Sequence, residues 1–269
     1  MEKRILLPTD FSRNSWNAIK YAIKLFEGKQ CEFYILHTYA KETHGLDSLT
    51  LLDPDEAFNK MSEIKSKEGL GDILIKLSKL ENNTNHCFHV VSESTLLWDA
   101  FKYLNKKLHF DMIVMGAKGI NNKKGESYGK HTLEILKSIR KCPILVVPSN
   151  VDFNHPKEIV LTTDFNADIK ISEIKNLVEI AKLSNASIQV LSITQPSKLS
   201  FFQKRNKVVI RKQLKEVDHN FNTLRNVKMG IALSCFVSIR NSNMISYIDK
   251  KPSLWQRLGL GKLNLNKLG

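Results

Sequence analysis

The chain carries the same opening twice. KRILLPTDFS at residues 3–12 returns as KEIVLTTDFN at residues 157–166. Each copy reads basic residue, apolar run, Thr-Asp-Phe, small polar residue. A helical stripe follows each: Trp16, Ile19, Tyr21, Ala22 and Leu25 in the first, Ile171, Ile174, Leu177, Val178 and Ala181 in the second. Each stripe leads into a further apolar strand, CEFYILHTY at 31–39 and ASIQVLSIT at 186–194. In a chain of 269 residues this implies a duplicated domain, because single domains commonly run to roughly 100–200 residues. The expected domains are residues 1–149 and 156–269, joined by VPSNVDFNHPKE with its two prolines.

The first half keeps an alternating rhythm. Residues 55–80 read as a helix and HCFHVVSES (86–94) as a strand. A helix is predicted over 95–107, with Leu96, Leu97, Ala100, Phe101 and Leu104 as its apolar stripe. FDMIVMG (110–116) is a strand, HTLEILKSIR (131–140) a helix and CPILVVP (142–148) a last strand. Apolar strands separated by helices give a parallel sheet covered on both faces, hence a doubly wound α/β fold. In such sheets a ligand sits beyond the carboxyl ends of the strands, where the winding reverses. Three segments end there: Pro8-Thr9-Asp10, His37-Thr38 and Met115-Gly116.

Composition removes several function classes. The four cysteines, Cys31, Cys87, Cys142 and Cys235, form no C-x-x-C pair, so neither a disulfide framework nor a zinc site is expected. No apolar run approaches the roughly 20 residues that span a bilayer, and the N-terminus has no signal-peptide core. A soluble cytoplasmic protein is expected. The net charge of +14 attracts polyanions. The lysines are nevertheless spread along the chain without interleaved aromatics, and neither a membrane nor a nucleic acid is expected as partner.

GAKGINNKKGESYGKH (116–131) is the densest glycine segment, with glycines at 116, 119, 125 and 129. It joins a strand to a helix start. Bare backbone there lets N–H groups reach phosphate oxygens, helped by the positive end of the helix dipole. The alternative is a flexible loop with glycines at helix caps. The spacing is that of neither the P-loop nor G-x-G-x-x-G.

The segment resembles the nucleotide-binding branch of the universal stress protein family, whose G-x2-G-x9-G spacing is matched by Gly116, Gly119 and Gly129. PTDFS, LHTY and KCPILVVP are similar to further signatures of that family, and the whole chain looks like a tandem member. The fold implied is two tandem doubly wound parallel-sheet domains of the adenine nucleotide alpha hydrolase-like, Rossmann-like class. The resemblance implies an ATP or AMP pocket in the first half. Pro8, Thr9 and Asp10 would lie against adenine and ribose, and Thr38 would offer backbone to the adenine edge. Met115 and Gly116 would border the ribose, while Gly119, Gly129, Lys130, His131 and Thr132 would surround the phosphates. Asp10 could hold Mg2+ through those phosphates; the plainer role for it is a helix cap or turn.

The chain departs from that pattern in two places. The family expects a small hydroxyl at position 130, where Lys130 either grips phosphate as a point charge or crowds the loop. In the second half Lys250, Lys251 and Pro252 replace the glycine spacing, GLGK (259–262) is too short to serve, and no counterpart of CPILVVP follows. That half is expected to have lost nucleotide binding and its last strand. The strand around Ile144–Val147 would then offer an unpaired edge for self-association, with a homodimer as the simplest product. His37 is either a base or a core histidine. No hydrolytic or kinase motif is present, so no catalyst is expected. The functions implied are a nucleotide-binding stress-response module, a scaffold without nucleotide, or, least favoured, an adenylyl-transfer enzyme.

Overall fold

The structure, a computed structural model, describes residues 2–39, 54–80, 83–119, 128–167, 169–193 and 198–248, with side chains of the helix starting at Pro54 described from Lys60. The chain divides into two compact units, Met1–Asp152 and Phe153–Gly269. The division falls inside the Pro-bounded stretch read as the join.

The first unit runs β1 (Lys3–Pro8), α1 (Arg13–Leu25), β2 (Cys31–Thr38), α2 (Pro54–Leu80), β3 (His86–Glu93), α3 (Leu97–Leu108), β4 (Met112–Gly116), α4 (Lys130–Ser138) and β5 (Ile144–Val147). Its five strands lie in the order β3-β2-β1-β4-β5, and every recorded pair is parallel. From β1 the chain winds outward through β2 and β3, then returns to the other side of β1 for β4 and β5. The winding therefore reverses between β1 and β4.

The central strands are buried throughout. Ile5, Leu6 and Leu7 are fully enclosed, as are Ile35 and Leu36. On one face of the sheet Leu6, Leu36, Ile113 and Met115 pack with Phe101, Phe110 and Ile135. On α2, Ser66, Leu70, Ile73 and Leu77 are buried at steps of four, three and four, which is one helix face. α1 starts cleanly because the Ser12 hydroxyl accepts a hydrogen bond from the Ser15 N–H. Two residues expected on inner stripes lie elsewhere. Leu96 is the extended N-cap of α3 and is exposed, because it precedes the helical turn that would aim it inward. Ile171 is the first residue of its helix and is also exposed.

The second unit repeats the plan: β6 (Glu158–Thr162), α5 (Ile171–Ser184), β7 (Ser187–Ser192), α6 (Phe201–Gln213), β8 (His219–Thr223), α7 (Met229–Arg240) and β9 (Met244–Tyr247). Its strand order is β8-β7-β6-β9, all parallel. Among the described residues this sheet has four strands. Lys250, Lys251, Pro252 and the GLGK turn lie outside the described residues. Val160, Leu191 and Leu233 form part of its core.

An ion pair between buried Glu158 and exposed Arg240 ties the start of β6 to the end of α7. The Glu158 carboxylate accepts from Arg240 Nε at 2.9 Å and from the Ser242 hydroxyl. Burial alone would raise the Glu158 pKa, but the bonds from Arg240 and Ser242 outweigh it and hold the carboxyl below its ordinary range. Arg240→Ala strands that carboxylate. Because the arginine is itself partly exposed, the expected local cost is about 2 kcal/mol, read as roughly 30-fold faster amide exchange in β6 and β9 at neutral pH. A carboxylate with a lowered folded-state pKa stabilises above its unfolded value of about 4.3 and loses that contribution as pH falls. The gap between wild type and variant should therefore narrow on acidification below about pH 4; a gap independent of pH would contradict the assignment.

Candidate functional site

Strand parity shortens the β1–β4 ladder at the reversal point. Lys3 and Thr9 donate their backbone N–H groups to Gln30 and Leu36, both at 2.9 Å, so odd-numbered residues of β1 face β2. Even-numbered residues face β4: the Arg4 N–H donates to the Asp111 carboxylate and the Arg4 carbonyl accepts from the Asp111 N–H, each at 2.9 Å. Pro8 is even-numbered and has no N–H to donate. Accordingly β1 pairs with β2 from Lys3 to Pro8, but with β4 only at Ile5 and Leu6. Beyond Leu6 the ladder to β4 ends, and the carboxyl ends of the two strands flank the reversal of winding, the place where such sheets hold a ligand in a crevice.

The second unit closes the same place. Thr162 stands where Pro8 stands in the repeat. There β6 pairs with β9 at all four residues from Ile159 to Thr162. The Thr162 hydroxyl also donates to the Ser246 carbonyl at 3.4 Å. From α6, Gln203 donates to the Asp164 carbonyl at 2.7 Å, and Asn206 to the carbonyls of Phe165 and Ala167 at 2.8 and 2.7 Å. The carbonyls of the turn after β6 are thus occupied from within.

The turn after β1 is built by its own side chains. The Thr9 hydroxyl accepts from the Phe11 N–H at 3.0 Å and Asp10 Oδ1 accepts from the Ser12 N–H at 3.1 Å. Phe11 is held at φ 63°, a left-handed conformation that costs a non-glycine residue roughly 1 kcal/mol. The second unit reproduces this bond for bond through Thr163, Asp164 and Phe165, the last at φ 62°. One oxygen of Asp10 therefore plays the turn-capping part expected of it. The other, Oδ2, faces the glycine segment.

That segment is tied down at both ends. The Gly129 N–H donates to the Ala117 carbonyl at 2.8 Å, and the Thr132 hydroxyl donates to the Gly116 carbonyl at 3.0 Å. Asn14 of α1 donates to the Lys118 carbonyl at 3.3 Å, a contact with no signal in the sequence. A Cβ on Gly116 would come within 3.1 Å of the Asn14 carbonyl oxygen, and one on Gly119 within 2.6 Å of Asp10 Oδ2. Neither glycine needs unusual dihedrals. Both are required because other atoms approach so closely. Gly129 is the N-cap of α4 with no side-chain cap, which leaves the first-turn N–H groups of that helix without a capping oxygen.

The expected site residues fall into three groups. Asp10, Gly116, Gly119 and Gly129 converge on the crevice, with Thr9 and Pro8 buried beneath them. Lys130 and His131 are exposed on the first turn of α4. Thr132 is placed otherwise than expected: it is buried, its hydroxyl hydrogen turned inward to brace the strand end. Met115 likewise sends its side chain into the core and leaves only backbone at the rim. Thr38 is half-buried at the end of β2. Gly125, Lys123 and Lys124 lie outside the described residues.

His37 belongs to a polar chain that sequence spacing does not show. Its Nδ1 meets the buried Ser66 hydroxyl at 2.8 Å, and Ser66 meets the Ser92 hydroxyl at 2.7 Å. Its ring stacks on Phe11 with centroids 4.3 Å apart. Burial holds the imidazole below its ordinary pKa, against an opposing pull from Asp10. This histidine is a structural prop for the turn. Burial also pushes the Cys142 thiol up to about 12, so it stays protonated. Among the described residues no group of His, Cys, Asp and Glu is arranged to hold a metal ion, and no helix is long and apolar enough to cross a membrane.

Residues 1–148, including every group of this crevice, match the universal stress protein family. The chain belongs to that family. A universal stress protein from Archaeoglobus fulgidus is 15% identical over 91% of this chain and 86% of its own, with a TM-score of 0.63. A functionally unknown protein from Pseudomonas aeruginosa is 14% identical over 91% of this chain and 81% of its own, at 0.52. Both alignments span two units, so this universal stress protein shares its tandem α/β fold with them. Another member, solved in complex with cAMP, is 17% identical over 54% of this chain and 96% of its own, at 0.33. No curated protein sequence matches. Gly116→Ala should force α1 away from the end of β4. The expected loss is about 1–2 kcal/mol of stability, measured by urea unfolding; a neutral substitution would show that the approach is not tight.

Proposed function

We propose that the first unit binds an adenine nucleotide, ATP or AMP, in the crevice between the ends of β1 and β4. Through this binding the chain acts as a regulatory module of the stress response. The observation that carries the reading is the β1–β4 ladder that ends at Leu6 where the winding reverses, with Asp10 and Gly119 brought side by side there. Asp10 would lie against the ribose and Gly119 would border the phosphates, whose oxygens suit the N–H groups at the start of α4. Lys130 adds positive charge there, with His131 exposed beside it, and Mg2+ would come with the phosphates. Thr38 would offer backbone to the purine edge.

The zippered second crevice supports one nucleotide per chain. Among the described residues the hydroxyl beside His37 is that of buried Ser66, and binding without catalysis is the reading. β5 pairs only with β4 among the described residues, which supports self-association through its outer edge. Static light scattering at micromolar concentration should report a dimer or larger species, and a strict monomer would remove that part.

Calorimetric titration with ATP, AMP and cAMP tests the site. One nucleotide per chain is expected, together with adenine nucleotide released when freshly purified protein is denatured. Asp10→Ala should weaken binding at least about tenfold, as loss of a charged hydrogen-bond acceptor does, while Asp164→Ala at the repeated position leaves it unchanged. Lys130→Ser should weaken it several-fold, since the lysine stands exposed and does not crowd the described part of the loop. No release and no binding at millimolar nucleotide would leave the scaffold reading instead.

A further inference from the structure

α6 carries a charge pattern that the crevice does not use. From Lys198 to Lys215 the sequence holds seven Lys or Arg and no acidic residue. The helix is firmly started: Ser200 accepts from the Gln203 N–H and Gln203 returns a bond to the Ser200 N–H. Gln203, Asn206 and Ile210 bury one face against the unit. The opposite face presents Phe201, Arg205, Val208 and Lys212 at steps of four, three and four. Phe201 is 87% and Val208 64% exposed. The capping box fixes Phe201 at the first helical position, so its exposure follows from the fold.

The cations divide into two sets. Lys207 and Arg211 lie over the Phe221 ring at 5.5 and 5.0 Å and cover the unit's own surface. Among the described residues Lys204, Arg205, Lys212 and Lys215 make no ion pair. The nearest acid along the chain, Glu216, is paired with Lys182. The result is a strip about 20 Å long whose outer line alternates the apolar Phe201 and Val208 with the cationic Arg205 and Lys212. A nucleic acid would find rings only at one end of the helix, Phe201 and the less exposed Phe202, and no use for Val208. A flat surface that is negative outside and apolar just beneath suits both features at once.

We infer that the outer face of α6 docks the second unit onto a bilayer surface rich in anionic phospholipid, with Phe201 and Val208 entering the interface and the four unpaired cations facing the headgroups. Such a contact requires no spanning helix. It is independent of the nucleotide crevice.

Co-sedimentation of the full chain with vesicles tests this. Vesicles of phosphatidylcholine mixed with phosphatidylserine should bind at least about tenfold more protein than phosphatidylcholine alone, and added salt should reduce the difference. Arg205→Glu with Lys212→Glu should weaken binding by at least about tenfold. Phe201→Ser, at a side chain that supports nothing inside the fold, should weaken it several-fold and leave a salt-sensitive remainder. Equal binding to both vesicles, binding to neither, or indifference to the charge reversal in protein of unchanged circular dichroism would overturn the inference. So would capture by RNA or an acidic protein without any vesicle binding.

Discussion

One absent donor shapes the first unit. In a parallel sheet each residue gives its N–H and C=O to the same neighbour, and successive residues alternate sides. On β1 that alternation assigns Pro8 to the β4 side, where a proline ring can give nothing. The ladder to β4 stops at Leu6 while the ladder to β2 runs on. The middle of the sheet keeps its rungs, and the shortened ladder coincides with the reversal of winding. The capped turn at Thr9-Asp10, the glycine segment and the start of α4 then gather around it.

The second unit shows what happens when that donor is present. With Thr162 in place of Pro8, two further rungs form and the strand ends stay zipped. The Thr-Asp-Phe turn survives in both copies, down to the left-handed phenylalanine, so the turn and the opening are separable features. The turn exists because threonine and aspartate side chains satisfy its N–H groups locally. The ladder to β4 is short because one residue has no N–H to give. Duplication kept the first and varied the second.

The glycine segment illustrates a related division. Its two ends are clamped by the Ala117–Gly129 and Gly116–Thr132 bonds, which fixes the mouth of the loop whatever its middle contains. The hydroxyl of Thr132 serves that clamp, so positive charge at the rim falls to Lys130 and His131. A lysine at position 130 is thus compatible with the clamp, whose hydroxyl comes two residues later.

Much was readable from neighbours in the chain. The repeat, the alternation of strands and helices, and the three strand ends at the reversal all follow from periodicity and local hydrogen bonding, which reach only a few residues. The spacing of Gly116, Gly119 and Gly129 carried meaning only through its resemblance to the family pattern. Other features required partners distant in sequence. That Pro8 faces β4 rather than β2 depends on a register set against Asp111. The His37–Ser66–Ser92 chain joins three separate elements. The inward turn of Thr132 and the outward face of α6 were settled by what each helix packed against. Periodicity says that a helix has two faces; which face meets the sheet, and which side of a strand loses its neighbour, is decided only when the distant strands come into register.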